Sequence, residues 1–213
     1  PTQGEMRVIT ELFSGIDELS IQRIGLGPTV PAARTAALLT RYRPRRVMLV
    51  GIAGTFDREV ADVGSACRFD EVAVDGIGVG RGNEFQSTSD LGWSQFEDEF
   101  SNMQIGDRLP LIATYNPQVP SLGTLLTVAS ASASPTDASW RRKRYPDAIA
   151  EDMEGFAVAS ACALAGVDLQ IVRGISNIVG ERDHAHWRVE EALRAAAELA
   201  ISILSHQWIP TVS

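Results

Sequence analysis

Residues 148–180, AIAEDMEGFAVASACALAGVDLQIVRGISNIVG, set four acidic side chains and one arginine in an otherwise apolar run. A charge taken out of water is costly unless a partner satisfies it, so Glu154 and Arg173 demand an account. Glu154 reads as a first-turn helix residue favoured by the helix dipole, or as a carboxylate presented to a ligand. Arg173 reads as a buried ion-pair partner or as part of a site. Asn177 reads as a cap on a strand-to-loop turn or as a hydrogen-bonding group, and Glu5 as a solvated charge or a reacting one. His184 and His186 have an H-x-H spacing, but no third ligand follows, and Cys67 and Cys162 match no metal spacing. No metal is expected. Gly25 and Gly27 do not make a dinucleotide fingerprint, because no third glycine follows and Pro28 intervenes.

These residues need elements to position them. The spacing predicts a helix over 31–43, with Pro31 in its first turn and Pro44 as its stop. An apolar strand follows at Val47–Val50 and enters a tight turn at Gly51–Gly54. Residues 64–76 read as a strand region, 76–107 as irregular, and 124–134 as a strand running into small residues. A helix is expected near 151–165, a strand at 169–177 and a last helix over 186–205. That last helix carries an apolar stripe at Val189, Leu193, Ala196, Ala197, Ala200 and Leu204. The basic run WRRKRY at 140–145 reads as a solvated helix face. Alternating strands and helices give an α/β fold, one domain over 1–213, with a mixed, mostly parallel central sheet flanked by helices. Ligands in such sheets gather at the carboxyl ends of strands. Gly51–Thr55, Ala129–Ser134 and Gly174–Asn177 fall there.

Composition narrows the partners. The chain has 213 residues, 45% hydrophobic and 22% charged, as soluble domains have, and a net charge of −8. With a pI near 4.9, neither nucleic acid nor an anionic membrane is an expected partner. The two distant cysteines suit a reducing compartment, and no signal peptide or charge-free apolar segment of about 18 residues is visible. A cytoplasmic location is therefore expected.

Three segments, RIGLGPTVPAARTAALLTRYRPRRVMLVGIAGTF, EDMEGFAVASACALAGV and IVRGISN, in this order and spacing, resemble the nucleoside phosphorylase/nucleosidase superfamily over nearly the whole chain. Within it, EDMEGFAVA with VRGISNIVGERDHAHWRVEEAL is most similar to the futalosine hydrolases, which release hypoxanthine from futalosine on a route to menaquinone. The resemblance implies hydrolysis of an N-glycosidic bond in a purine nucleoside, without cofactor, by a homo-oligomer of two or more copies. Glu154 matches the carboxylate that holds the ribose 2′- and 3′-hydroxyls through charge-assisted bonds, and Met153 matches the residue packing on the sugar. Glu5 matches the acid that deprotonates the attacking water, and Arg173 the arginine that fixes that water and its glutamate. Ser176 and Asn177 match the pair that meets the purine. The backbone of Ile52, Ala53 and Gly54 lines the water side. Ser130 and Ser132, after the third strand, read either as residues approaching the base or as small residues that allow close packing. Arg182, Asp183 and Trp187 fit a loop over the distal part of the substrate, or a polar turn in which Asp183 caps the last helix. Phe85, after GRGNE, reads as a pocket-lining side chain with no mechanism assigned.

The departure from the pattern is at Asn177, where adenine-specific members carry aspartic acid. An amide donates hydrogen bonds but no proton, and suits a 6-oxopurine better than adenine. Methylthioadenosine/adenosylhomocysteine nucleosidase is the alternative within the superfamily. The N-terminal segment PTQGEMRV holds Glu5 and only Arg7 as a cation, which favours water over phosphate as the nucleophile. Superfamily members have an apolar strand before the segment matching PTQGE. The expectation is that such a strand either precedes Pro1 or is absent, and its absence would fit a nucleoside-binding homologue without catalysis.

Overall fold

The alternation of apolar side chains in VMLVGIA decides the centre of the molecule. Val47, Leu49 and Ala53 enter one apolar core and Met48, Val50 and Ile52 enter another. A strand whose successive side chains are buried on opposite faces must lie inside a sheet covered on both sides. The computed structural model describes residues 3–16, 19–100, 103–112 and 121–207. Its elements are α1 (Gln3–Leu12), α2 (Thr29–Tyr42), β1 (Arg46–Thr55), β2 (Ala66–Arg68), β3 (Glu71–Asp75), β4 (Gly78–Val79), β5 (Gln86–Ser87), β6 (Phe96–Asp98), β7 (Met103–Ile105) and β8 (Arg108–Pro110). Then come β9 (Thr124–Val128), α3 (Pro135–Arg144), β10 (Ala148–Asp152), α4 (Gly155–Leu164), β11 (Asp168–Ile178) and α5 (Val189–Gln207).

Seven strands form one mixed sheet in the order β2-β11-β1-β10-β9-β3-β8. The long ladders, β1 with β11, β10 with β9 and β9 with β3, are parallel. The antiparallel pairings are short: β1 meets β10 only at Gly54↔Glu151 and Thr55↔Ala150. One face is covered by α1 and α5 through Ile9, Phe13, Leu193, Ala196, Ala197 and Ile203. The other carries α2 and α4 through Leu39, Phe156, Val158 and Cys162. Full burial of each large apolar side chain stabilises the fold by about 1.5–3 kcal/mol.

Several expectations are corrected. Gly51–Gly54 make no tight turn, because β1 continues to Thr55 with a bulge between Ala53 and Gly54. Glycine is needed at 54 for close packing: a Cβ there would lie 3.1 Å from Val179 Cγ2 and 3.2 Å from Asn177 Nδ2. The helix expected near 151–165 starts only at Gly155, and Ala148–Asp152 is a strand. Its local propensity is weak, but strands on both sides pair with it, and pairing overrides propensity. The strand region 64–76 splits into β2 and β3, which lie far apart in the sheet. The stretch 76–107 contains two small hairpins, β4–β5 and β6–β7. The basic run belongs to α3, whose Ser134 N-cap accepts from Asp137 N at 3.2 Å. Its Arg141 and Arg144 are not solvated but bind Asp75 at 3.2 Å each.

At Gly174, α5 rests directly on the backbone of β11: a Cβ there would sit 1.8 Å from the carbonyl oxygen of Ala192. Gly166 has φ +63 but open space around it. Thermal denaturation should therefore separate two substitutions. Gly174→Ala is expected to destabilise by about 3 kcal/mol or more through overpacking against backbone, and Gly166→Ala by about 1–2 kcal/mol through its left-handed conformation. Equal losses would contradict this packing.

Candidate active site

The site is assembled where β10 ends and α4 begins. Glu154 occupies the N-cap position of α4, with φ −129 and ψ −23, yet its side chain makes no capping bond. Asp152 caps instead, accepting from Gly155 N at 2.9 Å. Thr127 on β9 supports it, donating from Oγ1 to Asp152 Oδ1 at 2.6 Å and accepting from Phe156 N at 2.8 Å. Released from capping, Glu154 meets two other donors at longer range. Gly27 N donates to its Oε1 at 3.3 Å, and Arg173 Nη2 donates to its Oε2 at 3.3 Å.

Arg173 comes from β11, on the face opposite Gly174 and therefore on the α4 side. It is 1% exposed. Its principal partner is Asp152, whose Oδ2 accepts from Nε at 3.1 Å and from Nη2 at 2.5 Å. Glu5, in the first turn of α1, is also buried, and its charge reaches Arg173. One guanidinium is thus bonded to two buried carboxylates, and the charge of a third, Glu5, acts on it from further off. Burial works against the arginine charge, but Asp152, Glu154 and Glu5 together raise its proton affinity above the usual value. Glu154 is left short of positive charge. Burial pushes its carboxyl above the usual 4.5, Asp152 acts in the same direction, and Arg173 and the Gly27 N–H oppose them.

A second group lies further along β11. Asn177 stands in register with Gly54 of β1, as Arg173 does with Gly51. Its Nδ2 donates to Ile178 O at 2.9 Å and its Oδ1 accepts from Ser176 Oγ at 2.8 Å. Ser176 is buried and its Oγ also lies 3.3 Å from Ala53 O. One Asn177 N–H remains beside the bare Gly54 backbone.

The structure therefore brings Glu154 and Arg173 together, with the charge of Glu5 acting on Arg173 and with Ser176, Asn177, Ala53 and Gly54 along the adjoining strand ends. Ile52 packs towards α1 and α5, and Met153 packs beside Phe56 against Leu126, Val128 and Tyr145. Ser132 stands differently from its expected role. Its N donates to Glu151 Oε1 at 2.8 Å and its Oγ to Glu151 Oε2 at 2.7 Å. Arg141 Nη1 donates to the same Oγ at 2.6 Å. These bonds commit both polar groups of Ser132 within the fold, because Glu151 needs them once buried.

Asp183 caps the short turn His184–His186, accepting from Ala185 N at 3.0 Å, rather than α5. Arg182 stacks over Trp187 at 5.6 Å, and Arg144 over Phe85 at 4.6 Å. Among the described residues no group of three His, Cys, Asp or Glu is arranged to hold a metal ion, and no helix is long and apolar enough to cross a membrane. The sequence reading missed Asp152, Thr127 and Gly27. For Asp152 a signal existed, since a buried Arg173 needs an anion and EDME offers one.

With this geometry in place, comparison with known proteins is decisive for the class. The chain belongs to the phosphorylase superfamily, whose family model matches residues 3–206. Within that superfamily its relatives here are nucleosidases, that is, N-ribosyl hydrolases. It is 37% identical over 194 residues to futalosine hydrolase from Streptomyces coelicolor, covering 87% of this chain and 79% of that enzyme. It is 28% identical over 187 residues to 5'-methylthioadenosine/S-adenosylhomocysteine nucleosidase from Marinomonas sp., covering 87% and 78%. The fold matches futalosine hydrolase of Helicobacter pylori with a TM-score of 0.73 at 17% identity, over 96% of this chain and 94% of that one. It matches the nucleosidase from Neisseria meningitidis, solved with methylthio-immucillin-A, at 0.74 and 17% identity, over 96% of both chains.

The raised pKa of the Glu154 carboxyl has a consequence for stability. Folding disfavours the ionised form, so ionisation of Glu154 costs stability as pH rises through 4.5 and on through the raised folded value. At lower pH that cost is absent. The unfolding free energy of Glu154→Gln relative to the unsubstituted protein is therefore expected to improve between pH 4 and pH 8. A difference that stays flat, or falls, would contradict the charge imbalance.

Proposed function

We propose that this protein hydrolyses the N-glycosidic bond of a 6-oxopurine nucleoside, with futalosine as substrate and hypoxanthine as the released base. The observation carrying this reading is the amide of Asn177, placed one strand away from the Gly54 backbone and following the Glu154–Arg173 cluster on β11. Glu154 keeps both oxygens only weakly engaged and can accept the protons of a ribose diol. Three carboxylates around one guanidinium leave excess negative charge, which suits a ribosyl centre that becomes cationic as the base departs. Glu5 takes a proton from water, the water oxygen bonds to the anomeric carbon, and the carbon–nitrogen bond breaks with its electron pair leaving on the purine. The Asn177 N–H stabilises that purine by donating to N7 or to the 6-oxygen, while the proton that neutralises the base comes from solvent.

The 37% identity to a futalosine hydrolase supports this substrate. The 28% identity to a methylthioadenosine/adenosylhomocysteine nucleosidase supports adenine nucleosides as the second reading. A homo-oligomer belongs to the same reading, as the resemblance to the superfamily implies. A cytoplasmic enzyme without metal or organic cofactor completes the reading.

Purified protein would be given futalosine, inosine and methylthioadenosine separately, with and without phosphate, and free purine followed by chromatography. Hypoxanthine from futalosine, at a rate independent of phosphate, is the expected result. Adenine from methylthioadenosine would move the protein to the second reading, and no purine from any of them would leave only a binding role. Asn177→Asp is expected to erode the preference for the 6-oxopurine, because an ionised carboxylate repels the 6-oxygen that the amide serves. A preference ratio that does not change would remove Asn177 as the specificity residue.

A further inference from the structure

Asp152 has a coordination that no substrate contact explains. Its Oδ1 accepts from Thr127 Oγ1 at 2.6 Å. Its Oδ2 accepts from Gly155 N at 2.9 Å, Arg173 Nε at 3.1 Å and Arg173 Nη2 at 2.5 Å. The residue is 4% exposed, so its carboxylate has neither surface nor vacant capacity for a ligand. Glu154 is the reverse case: two donors reach it, each at 3.3 Å, one to each oxygen. The short bonds of the only guanidinium in the cluster go to Asp152, and the long one goes to Glu154.

We infer that Asp152, pinned by Thr127, is a positioning residue that holds the Arg173 guanidinium away from Glu154 and so keeps the Glu154 carboxylate open for the sugar hydroxyls. This inference deepens the proposed function and rests on that reading. The groups that face Arg173 are Asp152 at the end of β10, Glu154 at the start of α4 and Glu5 on α1. Of the two carboxylates bonded to Arg173, Asp152 presents an oxygen that takes two nitrogens of the guanidinium, whereas Glu154 takes one. Remove its charge, and Glu154 becomes the strongest anion within reach of Arg173. The guanidinium then closes on Glu154, forming a tighter charge-assisted pair and occupying oxygens that the hydroxyls need.

Thr127 makes the arrangement specific. Its hydroxyl donates to Asp152 and accepts from Phe156 N, so the carboxylate is fixed from β9 and α4 together. Valine matches the shape of threonine but has neither function, whereas serine has both.

The test compares Asp152→Asn, Thr127→Val and Thr127→Ser with the unsubstituted enzyme in the base-release assay, across pH. For Asp152→Asn, KM is expected to rise about tenfold or more, the weight of one hydrogen bond to a charged group, with a smaller change in kcat. The acid limb of kcat/KM should move to lower pH. Thr127→Val should move both in the same direction by less, and Thr127→Ser should restore them. Independently of turnover, the Glu154 carboxyl would be titrated by carbon NMR in the same proteins, and its midpoint should fall in Asp152→Asn and Thr127→Val. A lower midpoint in a protein that releases no purine would sink the proposed function while sustaining the role of Asp152. An unchanged midpoint, KM and acid limb in folded Asp152→Asn would overturn that role and leave Asp152 as a helix cap. Should Asp152→Asn not fold, the same readouts in Thr127→Val decide the matter.

Discussion

The interaction on which the rest of the structure depends is the burial of the Arg173 guanidinium against Asp152 and Glu154. A buried ion pair recovers its desolvation cost only when its geometry is good and its remaining donors are satisfied. Here Asp152 meets that requirement, and in doing so ties together β10, β11, β9 and the first turn of α4. An apolar substitute of similar volume would hold these elements at least as well. What it would not supply is a buried carboxylate, Glu154, left short of positive charge, which is the property a reacting site needs.

Strand β10 does two jobs because its period is two. Glu151 and Asp152 are neighbours in sequence and go to opposite faces of the sheet. Glu151 faces Ser132 and Arg141, and this fastens α3 over the ends of β3, β9 and β10, with Asp75 as the second anchor for Arg141 at 3.2 Å. Asp152 faces Arg173. A one-residue slip in the pairing of β10 would turn each carboxylate to the other face and away from the partners it is fitted to. Register at this strand is therefore strongly specified, even though its ladder to β1 is only two residue pairs long.

The glycines around the site act through closeness rather than through turns. Gly54 lets Asn177 and Val179 lie against β1, and Gly174 lets α5 lie against β11. Gly27, with φ +77, is the one whose conformation matters, since it aims an N–H at Glu154 from a loop 127 residues away in sequence.

Much of this was legible in the sequence, and the boundary is a physical one. The apolar run with Glu154 and Arg173 in it pointed to buried charge, and the alternation of strands and helices pointed to the α/β class. Both follow from side-chain type and spacing along the chain, whereas the neighbourhood of Asn177 came only from the resemblance of the motifs to the superfamily. Tertiary structure alone decided which anion neutralises Arg173, that Ala148–Asp152 is a strand, and that β1 continues through its glycines. It also decided that Ser132 serves Glu151. Each of these is a competition between partners remote in sequence, for one guanidinium, one ladder or one hydroxyl. The winner is set by strand order and register, which no single segment encodes.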